Sequence, residues 1–233
     1  MRHRLLTLLC AAACLLAAAC GLRPIPPAPA NGLPTVDIED FFGSCLGFET
    51  GCLIFVADTA GMGGDSPRFN GSYTHVAVVV CEDSGCYIYE AAPAAGVIRS
   101  RYGDWAERLL PLLPDTNLSF LSIAHLAHFD CDYDTALLVR RLHESLGKPY
   151  DPYFQLGNGM FYGSELIYEC FYDKSGRRLF HARPMDFRSA DGAYPAYWLR
   201  HFDSLGIPIP QGLPGTTPAG LRREPFLLCL KIQ

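Results

Sequence analysis

The chain predicts an α+β domain in which an antiparallel sheet is packed by helices. Apolar and β-branched runs cluster in the first half, at Leu53-Ile54-Phe55-Val56, 74–81 and 86–91. Helical spacing with clear stop signals comes only later, after Asp132. The segment Glu82-Asp83-Ser84-Gly85 reads as a hairpin turn between two of the strand runs. Strands early and helices late is the order of an α+β fold rather than of alternating βα units.

The N-terminus reads as a targeting segment. Arg2 and Arg4 precede an apolar stretch from Leu5 to Ala19, too short for a comfortable membrane span. It closes on Leu16-Ala17-Ala18-Ala19-Cys20-Gly21, which resembles a bacterial lipobox. Residues 1–19 are therefore expected to be a lipoprotein signal peptide, with Cys20 lipidated and the chain membrane-anchored in the periplasm or at the cell surface. An ordinary secretion signal is the alternative. Residues 20–34 are rich in proline and alanine and read as an extended tether. Residues 35–233 then form the domain.

Within it, Leu53 to Val56 is a short buried strand introduced by Gly51, and 62–72 is a loop rich in glycine and polar residues. Strands follow at 74–81 and 86–91. Gly96-Val97-Ile98 continues the sheet, and 119–125 adds another strand. Asp132 or Asp134 caps a helix carrying Ala136, Leu138, Leu142 and Leu146. Gly147 stops it and Pro149 prevents its restart. A second helix spans 164–172. A third begins with Pro195 in its first turn and stops at Gly206. Pro208, Pro210, Pro214 and Pro218 make the tail read as mostly extended loop.

Composition narrows the function classes. The chain has 233 residues, 49% of them hydrophobic, enough for a sizeable core. A net charge of −5 and the lack of a basic run argue against a nucleic-acid partner. His125, His128, His143, His181 and His201 show no tight ligand spacing, so neither a metal nor another cofactor is expected. The 10 cysteines suit an exported chain. Cys81 and Cys86 flank the hairpin turn, where either a disulfide or two buried free thiols would fit.

Two residues stand out chemically. His75 interrupts an apolar strand, and by alternation its side chain shares a face with Tyr73 and Ala77. Glu90 lies within the partner strand, where a carboxylate needs a partner. If the strands pair through the turn, Glu90 can hold the imidazole and fix its tautomer. A core histidine and a salt-bridged or solvated glutamate are the plainer alternatives. A thiol would be activated best at the start of the 164–172 helix, beside an imidazole. Gly163 stands there instead.

These motifs together resemble the permuted papain-like amidases of the YiiX/YaeF type, relatives of the NlpC cell-wall peptidases. The similarity covers Gly51 to Phe226. It rests on Thr50-Gly51-Cys52-Leu53-Ile54-Phe55-Val56, the residues around His75, Tyr89-Glu90-Ala91, Trp105, Gly147-Lys148-Pro149-Tyr150-Asp151 and Phe161-Tyr162-Gly163-Ser164-Glu165-Leu166. The tail resembles a Bacteroidetes branch of lipoproteins. The resemblance implies a permuted papain-like (NlpC-type) fold and amide hydrolysis through a cysteinyl acyl-enzyme. It makes His75 the general base, Glu90 the orienting acid and Gly163 the position of the nucleophile, where the family reads Tyr-Cys-Ser-Glu-Leu. Cys52 departs as well, standing where the family has aspartate.

Three explanations of Gly163 remain open: a pseudoenzyme that binds what its relatives cleave, an altered copy of an active enzyme, or a rewired nucleophile. Ser164 is turned by about 100° from its neighbour, and Cys170 lies about 10 Å along the axis. Tyr73, Tyr150, Tyr162 and Ser164 are the candidate substrate contacts, although core packing is the commoner use of such aromatics. The implied ligand is a peptide or peptidoglycan fragment, with a lipid ester or amide as second choice.

Overall fold

The computed structural model describes residues 35–36, 48–56, 73–109, 121–126 and 133–232. The signal peptide, Cys20, the tether and the 62–72 loop lie outside these residues. The described strands in chain order are β1 (Thr35–Val36), β2 (Leu53–Val56), β3 (His75–Glu82), β4 (Gly85–Ala92), β5 (Gly96–Arg101), β6 (Leu121–Leu126), β7 (Arg183–Pro184), β8 (Pro214–Gly215) and β9 (Leu227–Ile232). The helices are α1 (Tyr102–Leu109), α2 (Thr135–Ser145), α3 (Gly163–Cys170), α4 (Ala196–Leu205) and α5 (Pro218–Arg222).

A 7-stranded sheet runs in the order β1-β9-β6-β2-β3-β4-β5, and β7 pairs with β8 separately. All neighbours in the large sheet are antiparallel except β1 and β9. Alternation along the strands divides the core between two faces. Leu53, Phe55, Val76, Val78 and Tyr89 pack against Leu138 and Leu142 of α2 and Leu166, Ile167 and Cys170 of α3. Ile54, Val56, Ala77, Val79 and Ile88 pack on the other side against Tyr102, Trp105 and Ala106 of α1. Both faces are covered, which explains why these strands read as continuous apolar runs. A third cluster, Phe154, Tyr162, Met185, Phe187, Trp198 and Phe202, joins the segment before α3 to α4.

The β3–β4 turn forms as the sequence predicts, with Glu82 opposite Gly85 and Cys81 opposite Cys86. Cys81 and Cys86 are joined in a disulfide. Asp134, rather than Asp132, caps α2: its carboxylate accepts from Leu137 N at 2.9 Å. Gly206 ends α4 in the left-handed conformation, φ 66°.

Three expectations are corrected. The tail is not mostly loop. Thr217 caps α5 by accepting from Gly220 N at 2.9 Å, Pro218 fills the first turn, and β9 closes the sheet between β1 and β6. The helix α1 follows β5 directly, where the sequence showed no clear period. Tyr73 does not share the His75 face. It precedes the strand proper and packs edge-on to Phe55, ring centroids 5.9 Å apart, on the α2–α3 side.

Candidate active site

His75 is the first residue of β3, directly opposite Val56 on β2. The amide of Thr74 donates to Val56 O at 3.0 Å, pinning the strand where the imidazole emerges. On β4, Tyr89 is opposite Val78. Carrying this register on puts Glu90 across from Ala77, one diagonal from His75 and on the same face. That separation is within reach of two long side chains, and they meet: His75 Nε2 and Glu90 Oε2 are 2.7 Å apart.

Two residues of α1 complete the carboxylate's shell. Trp105 Nε1 donates to Glu90 Oε2 at 3.3 Å, and an Arg108 guanidinium nitrogen donates to Oε1 at 3.2 Å. They are three residues apart and so share one helix face. Burial works against ionisation of Glu90. The His75 contact, the indole N–H and the Arg108 charge outweigh it and hold the carboxyl below the usual glutamate range. Glu90 is thus an acceptor, so in the neutral ring the shared proton sits on His75 Nε2. This leaves Nδ1 with a free lone pair.

That nitrogen looks toward α3. The helix packs on the opposite sheet face, and its first residue arrives over the start of β3. A Cβ added to Gly163 would lie 3.6 Å from His75 Nδ1, 3.6 Å from Val76 O and 3.9 Å from His75 Cε1. These are ordinary van der Waals separations, and Gly163 does not have a left-handed φ. A Cβ fits there without displacing anything, and it stands beside the imidazole. The amides of the first turn, unpaired within the helix, lie at the same place.

The segment preceding α3 fixes where the helix begins. Phe161 N donates to Pro149 O and Asp151 N to Phe161 O, each at 3.0 Å. The fully buried Asp151 carboxylate accepts from Tyr153 N and Gln155 N, each at 2.8 Å. Glu165, also buried, accepts from Gly157 N at 3.1 Å, while its Oε2 has no partner among the described residues. Burial raises the Glu165 pKa to about 8, opposed by the Gly157 and Tyr162 amides and reinforced by Asp151.

The other sequence-derived residues take varied positions. Ser164 is buried and its hydroxyl donates to Thr216 O at 3.0 Å, so it is committed away from His75. Tyr162 is buried in the aromatic cluster, and its hydroxyl accepts from Thr216 N at 3.0 Å. Burial lifts its pKa well above the ordinary tyrosine value. These two are structural partners of Thr216 rather than open surface. Tyr150 is half-buried between two clusters. Tyr73 is half-buried, with the Arg222 guanidinium 5.0 Å from its ring centre. Cys170 is buried, and its thiol is pushed up to about 12. Burial pushes the Cys52 thiol up to about 11. Val79 N donates to Cys52 O, which puts Cys52 four residues along β3 from His75, on the order of 13 Å. Neither thiol stands in for a side chain at 163.

Sequence reading from residues alone missed Arg108, Asp151 and Glu165. A carboxylate in an apolar strand signals that partners exist, but not which helix supplies them. A buried Asp151 and Glu165 look from the sequence like solvated charges.

A family model described as permuted papain-like amidase enzyme, YaeF/YiiX, C92 family, matches residues 48–231. Among solved structures, the chain is similar to the crystal structure of metalloprotein yiiX from Escherichia coli O157:H7. The TM-score is 0.56 at 17% identity, over 78% of this chain and 95% of that one. That similarity is one of fold. The described residues of the present chain assemble no group of three or more His, Cys, Asp or Glu side chains suited to a metal. No curated protein matches the chain. The family match spans well over half of the sequence and includes His75, Glu90 and Gly163; the chain belongs to the permuted papain-like amidases of the YaeF/YiiX type.

Proposed function

We propose that the chain is an exported lipoprotein whose amidase cleft is retained while the thiol nucleophile is absent, Gly163 standing in its position. The observation that carries this is the 3.6 Å between His75 Nδ1 and the Cβ that any side chain at 163 would have. The Glu90-held tautomer leaves that nitrogen ready to take a proton. With a cysteine at 163, the imidazole would remove the thiol proton and the thiolate would attack the ligand's carbonyl carbon. The imidazolium would then protonate the departing amine, and water would release the acyl group. With glycine there, the first of these steps has no atom to act on. The buried, committed Ser164 and the distant Cys52 and Cys170 support loss of thiol catalysis over a rewired nucleophile.

The ligand is a peptide, first of all a cell-wall fragment, and a lipid ester or amide is the second choice. Acylation of Cys20 would hold the domain at the membrane. The test compares the domain from residue 35 onward with its Gly163→Cys variant, using an acylating thiol probe and peptidoglycan fragments. Labelling and turnover only in the variant are expected. Turnover by the unsubstituted protein would overturn the loss of catalysis. Absence of labelling in a folded variant would overturn the assignment of position 163.

A further inference from the structure

Trp105 is buried beside the His75–Glu90 pair, 3% exposed. It shares one cluster with Val56, which is opposite His75 on β2, and with Ala77, Val79 and Ile88 of β3 and β4. The sheet itself delivers the indole to this place. Glu90 is opposite Ile98 on β5, and α1 starts directly after Arg101 and packs back on the sheet. The ring is held in turn by its neighbours. Tyr102 lies against it with ring centroids 6.3 Å apart, and Phe48 closes edge-on over Tyr102 at 5.2 Å.

The indole N–H donates to Glu90 Oε2, the same oxygen that meets His75 Nε2. An indole nitrogen can only donate. It takes one acceptor position of Oε2 and leaves the other facing the imidazole. Two donors on one carboxylate oxygen favour the ionised form, and an ionised Oε2 needs the ring proton on Nε2. Arg108 is a weaker hold. Its nitrogen reaches the other oxygen, Oε1, is shared with Ser100 Oγ at 3.0 Å, and belongs to a side chain that is 52% exposed. Water can replace that bond at little cost. A donor lost from a buried ring is not replaced in this way, and Oε2 would be left with an unmet acceptor position. The His75 side chain is 27% exposed, so the imidazole has water on one side and depends on Glu90 for its orientation.

We infer that Trp105 is a positioning residue of this site: it holds Glu90 Oε2 on His75 Nε2 and so keeps the lone pair of Nδ1 toward position 163. It acts through Glu90 and touches no reacting atom. The inference rests on reading His75 and Glu90 as the proton-transfer pair, and adds the residue that sets their geometry.

The experiment follows the ring nitrogens by NMR in the full chain carrying isotope-labelled histidine, at a pH above the His75 titration. Comparison with His75→Gln identifies the resonances. The parent should show Nε2 as N–H and Nδ1 as the lone-pair nitrogen. Trp105→Phe keeps a buried ring and removes the donor. It should raise the minor tautomer, protonated at Nδ1, about tenfold, the weight of one hydrogen bond to a charged group. Val79→Ala trims the same cluster and should leave the tautomers alone. A parent ring protonated at Nδ1, unchanged tautomers in Trp105→Phe, or an equal change in Val79→Ala overturns the inference. A second measurement leaves Trp105 in place. The chain has two tryptophans, Trp105 and Trp198. In Glu90→Gln the Nε1–H resonance of Trp105 should move while that of Trp198 stays. If the Trp105 resonance stays as well, the bond is absent and the inference falls, whether or not Trp105→Phe folds. Thiol labelling of Gly163→Cys is read separately. Labelling with unchanged tautomers sinks the role of Trp105 alone, and a tautomer shift without labelling sinks the assignment of position 163 alone.

Discussion

At position 163 the proposed loss of thiol catalysis turns on a missing side chain, beside a His75–Glu90 pair that is formed. Glu90 fixes the ring through Nε2, and Trp105 and Arg108 fix Glu90. The pair was legible in the sequence from its oddity, a histidine and a glutamate each interrupting an apolar run. Its supports were less so, because α1 carries no strong period and its role depends on tertiary contact. A prediction at this scale separates orientation from mere proximity. In the Gly163→Cys background, Glu90→Gln should lower acylation by the thiol probe on the order of 10²-fold, since the amide no longer holds the ring in the accepting tautomer. Arg108→Gln should cost far less, because half of that side chain is exposed and Trp105 remains. Stopped-flow labelling rates check both. Equal rates in the Glu90→Gln and parent proteins would remove the orienting role.

Elements were legible in proportion to their length and local signals. The β-branched runs of β3 and β4 and the stop signals after α2 and α4 gave these elements nearly to the residue. The two-residue strands β1, β7 and β8 have no period to read, and prolines masked α5 and β9 because proline both breaks helices and starts them. The Thr217-Pro218 pair is the signal that distinguishes the two uses. Two stability predictions belong here. Asp134→Ala removes the bond to Leu137 N and should cost about 1 kcal/mol. Replacing Cys81 and Cys86 with serine opens a very short loop and should cost about 2 kcal/mol, the entropy regained by the unfolded chain. Urea unfolding midpoints measure both. A larger loss from Asp134→Ala than from the cysteine pair would mean that the cap does more than hold one amide.

Across the whole molecule, two buried glutamates near the start of α3 have opposite pKa displacements, and each adds its own pH dependence to the stability of the domain. Glu90 has its folded pKa held below the ordinary 4.5, so it stabilises the fold above that value and the contribution is lost as pH falls through its folded pKa. Glu165 is raised from 4.5 to about 8. Between these values the native chain holds a proton that the unfolded chain has released, so stability falls as pH rises across that window and levels off above it. The slope from this one group is roughly 1.4 kcal/mol per pH unit at most. Taken together, these two groups favour the fold most in mildly acidic solution. Glu165→Gln keeps an acceptor for Gly157 N and has no proton to lose, so it should flatten the alkaline arm and leave the acid arm alone. Unfolding free energies of both proteins from pH 4 to pH 9 decide this. Parallel profiles would show that Glu165 is ionised in the native fold and that another group balances its charge. Because this carboxyl ties the 151–162 segment to the first turn of α3, the same titration should also loosen position 163 relative to His75. In the Gly163→Cys protein, labelling should then stop rising near pH 8 instead of following thiolate formation upward.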